Sequence, residues 1–306
     1  MKPLRIISFL PSATEILYSL GLAREVLGVS HECDFPPGAR RKPVVMRANF
    51  PSTETSDRAI DRRVREALRN GKELYRIDQK LLERIRPDLI VTQKLCDVCA
   101  VSSDTVQGVI QTLSPKPKVL ALHPHSLEAV LGDIGRVGGL TGKAKEARKV
   151  AAALRARIER VQKKTASLRK VKAFSMEWYD PIMNAGHWIP EMVRMAGGEE
   201  ALSEEGKPSI RIPWESVLRY QPEILFLMPC GFSAKEAKER AKQLRTLSGW
   251  GNLSAVRKKK VYCLDGSSYY NRPGPRLVDG IEIMAKLLHP ETFSRYRIPQ
   301  GAVQRF

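Results

Sequence analysis

The sequence of 306 residues predicts an α/β fold in which two parallel-sheet lobes are joined by one long rigid helix. Short runs of aliphatic and β-branched residues alternate with longer amphipathic stretches, which is typical of βαβ units. Between two such sets, apolar residues recur at helical spacing from Thr141 to about Arg169, a length of about 40 Å at 1.5 Å per residue. The predicted division is an N-terminal lobe over residues 1–125, connecting helices over 126–170 and a C-terminal lobe over 171–306.

In the N-terminal lobe, strands are predicted over residues 5–10, 26–30, 88–93 and 118–122. After the first strand, the segment from Ser12 to Glu15 matches a capping box, and Gly21 is expected to end the helix that this box starts. Further helices are predicted over 56–70, 78–85 and 106–113. The Pro- and Arg-rich segment 36–50 is predicted to be a loop.

The middle and C-terminal elements follow from the same rules. Ser126 is predicted to cap a helix that Gly138 and Gly139 end, and the long helix follows it. Strands are then predicted over 172–176, 223–228 and 260–264, and helices over 189–196, 214–219, 234–244 and 275–288.

Charge and cysteine content limit the class of protein. The net charge of +19 favours anionic partners, but a solvated basic surface explains it too, and no interleaved aromatics or DNA-binding motif indicate a specific nucleic acid. Five cysteines are an odd number, and the apolar run that ends at Pro11 is too short for a secretory signal. No stretch is long and apolar enough for a membrane span. These observations predict a cytoplasmic protein with reduced cysteines.

Potential metal ligands follow the predicted strands of the N-terminal lobe, where loops and helix N-termini of a parallel sheet converge. His and Cys suit zinc, iron or cobalt, so a bound metal ion, or the axial position of a bound metallocycle, is one interpretation. Small apolar packing of the thiols and local hydrogen bonds of the histidines are the other. The candidates are His31, Cys33, Cys96, Cys99 and His123, and the neighbouring Pro11, Ser12 and Gln93 are added as ligand-binding residues.

The C-terminal lobe presents aromatic residues in the corresponding places, and Phe232 follows one of its strands. Broad, flat, apolar ligands bind against aromatic faces with a few polar anchors. Packing of the tryptophans in the lobe core is the alternative. The predicted ligand-binding residues are Trp178, His187, Trp188, Trp214, Tyr269 and Arg272. No Walker loop, dinucleotide fingerprint, nucleophile elbow or zinc-protease motif occurs, so an enzyme is not predicted.

Several segments resemble the cobalamin- and siderophore-binding components of ABC importers. Residues 6–21 resemble the opening of that family, 86–91 its second landmark, and 247–250, 261–262 and 276–280 its C-terminal pattern. Pro11 to Glu15 is most similar to the vitamin B12-binding branch, whereas 92–101 looks like a feature of relatives without an export signal.

The resemblance implies the class III substrate-binding fold, with cobalamin or a related corrinoid as the ligand, bound in a cleft between the lobes for cytoplasmic storage, trafficking or transport-linked uptake. The expected partners are a corrinoid or another metallated macrocycle and either an ABC importer or a corrinoid-using enzyme. Two alternatives remain: an importer component for haem or an iron siderophore, and a metal- or thiol-dependent enzyme acting on a corrinoid or tetrapyrrole through Cys96 and Cys99.

Overall fold

The computed structural model describes residues 3–49, 56–93 and 103–306. The strands are β1 (Ile6–Ser8), β2 (Val26–Ser30), β3 (Val44–Ala48), β4 (Tyr75–Ile77), β5 (Leu89–Gln93), β6 (Lys118–Leu122), β7 (Val171–Tyr179), β8 (Ile182–Asn184), β9 (Gly198–Glu199), β10 (Ile224–Leu227), β11 (Val261–Leu264) and β12 (Val303–Arg305). The helices are α1 (Pro11–Ser19), α2 (Asp57–Arg69), α3 (Gln79–Ile85), α4 (Ser103–Thr112), α5 (Leu127–Leu140), α6 (Ala144–Thr165), α7 (Ile189–Met195), α8 (Trp214–Tyr220), α9 (Ala234–Ala241), α10 (Ser254–Arg257), α11 (Gly266–Tyr269) and α12 (Leu277–Leu288).

The chain folds as two compact units, and the predicted α/β class is confirmed in both. The first unit comprises residues 1–55, 59–124 and 129–152, and the second comprises 56–58, 125–128 and 153–306. The connecting helices α5 and α6 contribute residues to both units, so the domain boundaries given above at 125 and 170 stay a prediction.

The first unit contains a six-stranded sheet with the order β4-β3-β2-β1-β5-β6. All neighbouring strands are parallel except β4, which runs antiparallel to β3 at the edge. Alternating aliphatic residues of β1, β3 and β5 place Ile7, Val45 and Ile90 in a buried cluster with Leu82 of α3. Because β1, β3 and β5 run in the same direction, the carboxyl ends of these strands lie at one edge of the sheet.

The sheet of the second unit has the order β12-β11-β10-β7-β8, with β9 pairing the first residues of β7. Strands β11, β10 and β7 are parallel, and β12 and β8 are antiparallel edge strands. Phe174, Leu225 and Val261, one from each parallel strand, pack in the same buried cluster with Trp250.

Two helix-end predictions are wrong. Helix α1 begins at Pro11 with Leu10 as its N-cap and has no side-chain cap, so Ser12 does not form a capping box. Proline suits the first helical position because its φ is already helical and its missing N–H is not needed there. Gly21, with φ of +77°, follows the helix as predicted.

Helix α5 is not ended by Gly138 and Gly139 but continues to Leu140, and Gly142 adopts the positive φ of +72° after it. A Cβ at Gly138 would lie 2.4 Å from that of Ala147 and 2.9 Å from the carbonyl oxygen of Lys143. Gly138 is therefore explained by the close approach of the next helix, which periodicity along one helix does not reveal.

The prediction of a loop over residues 36–50 is also wrong, because a 3₁₀ turn over Pro37–Arg41 and strand β3 lie within it. The short strands β4, β8, β9 and β12 were not predicted. They have only two or three residues each, which is too few for a period to be recognised. In the described part of the chain no helix combines the length and the apolarity that crossing a bilayer needs.

Candidate functional site

In the first unit, the carboxyl ends of β1 and β2 are joined by a buried hydroxyl network centred on Thr14. The Thr14 hydroxyl lies 2.9 Å from Ser8 Oγ and 3.1 Å from Cys33 Sγ, and Ser8 Oγ donates to the carbonyl oxygen of Leu10 at 3.0 Å. All three side chains are buried. The network fixes the loop after β1 at the start of α1, where Pro11 and Ser12 lie.

The three described metal-ligand candidates of this unit, His31, Cys33 and His123, do not form a metal cluster. Cys33 is buried, with its sulfur hydrogen-bonded as above, whereas His31 is exposed and its Nδ1 lies 3.3 Å from the carbonyl oxygen of Met46. His123 is also exposed, and Gln93 is buried at the end of β5. Across residues 3–49, 56–93 and 103–306, no three His, Cys, Asp or Glu side chains are grouped to hold a metal ion. Cys96 and Cys99 lie outside the described residues.

In the second unit, backbone hydrogen bonds tie the carboxyl ends of β7, β10 and β11 together. The amide of Cys230 donates to the carbonyl of Glu177 at 3.3 Å, and the amide of Ser267 donates to the carbonyl of Phe232 at 3.4 Å. Gly266 makes this approach possible, since a Cβ there would lie 2.6 Å from the carbonyl oxygen of Pro229 and 2.2 Å from Asn271 Oδ1. Loops from three strands are thereby held at one edge, which we call the carboxyl edge.

Trp178 and Phe232 form a half-buried aromatic pair at the carboxyl edge, which we call the aromatic platform. Their ring centroids are 6.2 Å apart and their planes are tilted by 39°. The Trp178 indole N–H donates to the carbonyl of Asp180 at 3.2 Å, which fixes the ring on the turn after β7. Aromatic pairs with offset or tilted rings are favourable and leave ring faces for a ligand.

A buried ion pair between Arg240 and Asp57 supports the Phe232 ring of the platform. The guanidinium carbon of Arg240, on α9, lies 4.2 Å from the centroid of the Phe232 ring. Arg240 Nε donates to Asp57 Oδ1 at 2.7 Å, Gln243 donates to Asp57 Oδ2 at 2.8 Å, and the Asp57 side chain is only 1% exposed. Burial raises the pKa of Asp57 against the opposing effect of Arg240. Sequence reasoning missed Arg240 and Asp57, because they are distant in the chain and share no motif.

A second aromatic group occupies the loops next to the platform. The rings of His187 and Trp188 stack at 5.5 Å, and the Trp188 indole N–H donates to the carbonyl of Tyr270 at 2.8 Å. Trp188 is 3% exposed, so it packs mainly as core, whereas Tyr269 is half-buried with Arg276 5.7 Å from its ring centroid. Arg272 follows in the same loop and is also half-buried.

The structure does not bring Trp214 to this edge. Its ring stacks on Trp250 at 6.0 Å, and Trp250 meets Phe306 edge to face at 5.8 Å. The amide of Phe306 donates to the carbonyl of Val261, the first residue of β11, so Phe306 lies at the opposite edge of the sheet. The Trp214 indole N–H donates to the carbonyl of Ser248 at 2.8 Å, so Trp214 belongs to an aromatic group separate from the platform. The ligand-binding role of each predicted residue stays a prediction.

The fold and this edge define a class of α/β binding proteins, and comparison with known proteins gives the family. The chain belongs to the periplasmic binding protein family, whose profile matches residues 6–267. It is 24% identical over 280 residues to a vitamin B12-binding protein of Vibrio cholerae, covering 91% of this chain and 86% of that one. It is also 23% identical over 299 residues, 95% and 82% of the two chains, to YvrC of Bacillus subtilis, an uncharacterized ABC transporter substrate-binding lipoprotein.

Solved structures agree on the fold. The crystal structure of the periplasmic vitamin B12-binding protein BtuF of Vibrio cholerae matches with a TM-score of 0.67 and 22% identity, covering 94% of this chain and 97% of that one. A periplasmic heme-binding protein of Pseudomonas aeruginosa matches with a TM-score of 0.70 and 17% identity, covering 94% of each chain.

The predicted cytoplasmic location is wrong. The family is one of periplasmic binding proteins, and the relatives include a substrate-binding lipoprotein of an ABC transporter; proteins of both kinds work outside the cytoplasm. The apolar run that ends at Pro11 contains strand β1 of the first sheet, at residues 6–8. It therefore says nothing about the compartment. The predicted role in cytoplasmic storage or trafficking depended on that location and is wrong for the same reason.

Proposed function

We propose that this chain is the substrate-binding component of an ABC importer and that its ligand is a corrinoid of the cobalamin type. Membership of the periplasmic binding protein family supports the general role. The choice of a corrinoid rests on the vitamin B12-binding relatives, together with the chemistry of the carboxyl edge. The role is capture and release, so it needs no catalytic step.

The observation that carries the proposal is the aromatic platform. Trp178 and Phe232 are half-buried and stand at the carboxyl ends of β7 and β10, where parallel sheets bind ligands. A corrin ring is broad and largely apolar, so aromatic faces suit it and bury much of its surface. Polar groups of Tyr269 and Arg272 in the adjacent loop would meet the amide side chains at the rim of the macrocycle.

The test is a titration of the purified, reduced protein with hydroxocobalamin, followed by the visible spectrum and by tryptophan fluorescence, with haemin as competitor. We expect saturable binding of hydroxocobalamin. Trp178→Ala should weaken it about 5- to 150-fold, because an aromatic face contributes about 1–3 kcal/mol to a stacked planar ligand. Absence of saturable hydroxocobalamin binding to the wild-type protein would overturn the proposal.

Trp214→Ala provides the matched control, since it removes the same side chain from a separate aromatic group, that of Trp214, Trp250 and Phe306, in the same unit. Its affinity should stay within about twofold of the wild-type protein once folding has been checked by thermal unfolding. Equal losses in the two variants would show that the carboxyl edge is not the site. Recovery of chemically altered ligand after long incubation would favour the thiol-dependent enzyme instead.

Haem is a second candidate ligand because of one observation. The imidazoles of His125 and His187 lie 5.9 Å apart, centroid to centroid, beside Trp188. Imidazole is a common axial ligand of haem iron. Haemin binding that excludes hydroxocobalamin, with a Soret shift lost in His187→Ala, would replace the corrinoid with haem while retaining the importer role.

A further inference from the structure

The amino ends of the three parallel strands in the second unit lie side by side, because β11, β10 and β7 are neighbours in that order. We call this side of the sheet the amino edge. Basic residues precede or begin β7 and β11 there, and β12 brings another because it runs antiparallel to β11. These eight residues are Arg169, Lys170, Lys172, Arg257, Lys258, Lys259, Lys260 and Arg305.

Two acidic residues of the sheet accompany this group, and one of them, Glu223, is paired with it. Glu223, just before β10, accepts two hydrogen bonds from Arg169 at 2.7 and 2.9 Å, and Lys258 Nζ lies 3.8 Å from Glu223 Oε2. The hydrogen bonds from Arg169 lower the pKa of Glu223 to about 2. Glu199 lies opposite Lys172 in the pairing of β9 with β7. The excess of positive charge therefore belongs to the amino edge itself.

The arrangement presents this charge to solvent. Lys170, Arg257 and Lys259 are all exposed, on segments that precede two different strands. Glu223 joins these segments, since it contacts Arg169 from one and Lys258 from the other. The charges are therefore held on a folded surface and not on a flexible tail.

Basic side chains lie over two of the aromatic rings at this edge. Lys172 Nζ lies 5.6 Å from the ring centroid of Tyr220, and the Arg305 guanidinium lies 5.9 Å from that of Tyr262. Arg305 Nε also donates to the carbonyl of Lys259 at 3.0 Å. Single-stranded nucleic acids stack their bases on aromatic faces, and a cation stands over one face of each of these two rings. Clustered lysines and arginines suit anionic lipid headgroups.

We propose that the amino edge of the second unit binds the surface of a membrane containing anionic phospholipids. Binding through this edge uses the side of the sheet opposite to the aromatic platform. A chain held at the membrane in this way would keep the carboxyl edge open to ligand. This inference does not depend on the identity of the ligand.

The experiment is co-sedimentation of the full chain with vesicles of phosphatidylcholine alone or with phosphatidylglycerol added. We expect binding only when phosphatidylglycerol is present, and loss of binding as the salt is raised from about 0.1 M to about 1 M, where the Debye length falls from about 10 Å to about 3 Å. The combined variant Lys170→Gln, Arg257→Gln and Lys259→Asn should weaken it about tenfold or more. Asn replaces Lys259 because the φ of residue 259 is +55°, a left-handed backbone conformation that Asn tolerates.

The matched control removes the same number of charges from exposed positions of α6, as Lys145→Gln, Arg148→Gln and Lys149→Gln. Its vesicle affinity should stay within about twofold of the wild-type protein, because the proposal assigns binding to one edge and not to net charge. Equal losses in the two combined variants would overturn the proposal. So would the absence of binding to phosphatidylglycerol vesicles, or tight nucleic-acid binding that the amino-edge variant abolishes while vesicle binding is unaffected.

Hydroxocobalamin titration of the amino-edge variant separates this inference from the proposed function. We expect an unchanged ligand affinity, because the substituted residues are at the other edge of the sheet. Thermal unfolding of both combined variants checks that they remain folded.

Discussion

In the second unit, Trp178 lies among the last residues of β7, and Phe232 and Tyr269 follow β10 and β11, whereas Arg169, Glu223 and Lys260 precede the same three strands. The carboxyl edge carries the half-buried aromatic platform, and the amino edge carries exposed basic residues. Parallel strands place all their carboxyl ends on one side, so each edge collects residues from distant parts of the chain. The comparison teaches that strand direction separates a surface suited to an apolar ligand from one suited to an anionic partner.

The largest expected difference between the edges concerns two glycines. Gly266→Ala should lower the free energy of unfolding by about 2–3 kcal/mol, because the new Cβ would lie 2.6 Å from the carbonyl oxygen of Pro229, which is backbone and cannot move aside. Gly251→Ala, near Trp250, meets no atom within 4 Å and should change it by less than about 0.5 kcal/mol. Chemical denaturation of both variants measures the difference. Similar values would show that the carboxyl edge is not closely packed.

Glu200 tests the region between the two edges. Its carboxylate accepts a hydrogen bond from the amide of Ser175, in the middle of β7, at 2.7 Å, and burial raises its pKa to about 8 from an ordinary 4.5. A carboxyl group with a raised pKa in the folded state favours folding when protonated. Its stabilising effect is therefore complete below about pH 4.5 and is lost as the pH rises through 8.

Glu200→Gln should remove this dependence. Relative to the wild-type protein, the variant should gain stability between pH 5 and pH 9, by on the order of a few kcal/mol. Thermal unfolding at both pH values gives the result. A constant difference between the two proteins across this range would mean that Glu200 titrates normally.

Arg240 tests the support of the aromatic platform. Arg240→Lys keeps the positive charge but removes the planar group that stacks on Phe232, so we expect hydroxocobalamin to bind about 3- to 10-fold more weakly. Arg245→Lys is the control, because Arg245 stacks in the same way on Phe306 at the amino edge, 4.7 Å from its ring centroid. An unchanged affinity in Arg240→Lys would show that ligand binding at the aromatic platform does not depend on support from Arg240.

The smallest effect is expected at Glu223. Arg169 holds the pKa of this carboxyl group at about 2, so the ion pair stabilises the fold fully above about pH 4.5 and ceases to do so as the pH falls through 2. Glu223→Gln should cost less than about 1 kcal/mol at pH 7, since the Arg169 side chain is 71% exposed. The difference in unfolding temperature from the wild-type protein should vanish near pH 2. A cost that persists there would assign Glu223 a packing role.

Much of the fold could be predicted because its helices and central strands are long enough to show a period. Strands β2 and β6 have the predicted bounds, and α6 lies within the predicted long helix but is shorter, ending at Thr165. The errors occur where tertiary contacts replace local signals. Gly138 is explained by contact with Ala147 of the next helix, and β3 lies in a segment whose proline and arginine content favours a loop.

The candidate site could be predicted only as a set of residue types after strands. Sequence reasoning treated Trp178 and Trp214 alike, although one pairs with Phe232 at the carboxyl edge and the other stacks on Trp250 in a separate aromatic group. It could not find Arg240, because the contact with Phe232 and the pairing with Asp57 join residues that are far apart in the chain. Cys33 similarly appeared as a possible metal ligand, whereas its sulfur is hydrogen-bonded to Thr14 in a buried network.

The sequence by itself determined the α/β class, the long helix between two sets of alternating elements, and the resemblance to importer-linked binding proteins. Periodicity and short motifs are local properties, so they are legible without coordinates. Only the tertiary structure decided which aromatics share an edge, which ion pair supports them, and where the basic residues gather. Those facts depend on strand order and direction, which bring distant residues together and which no local pattern contains.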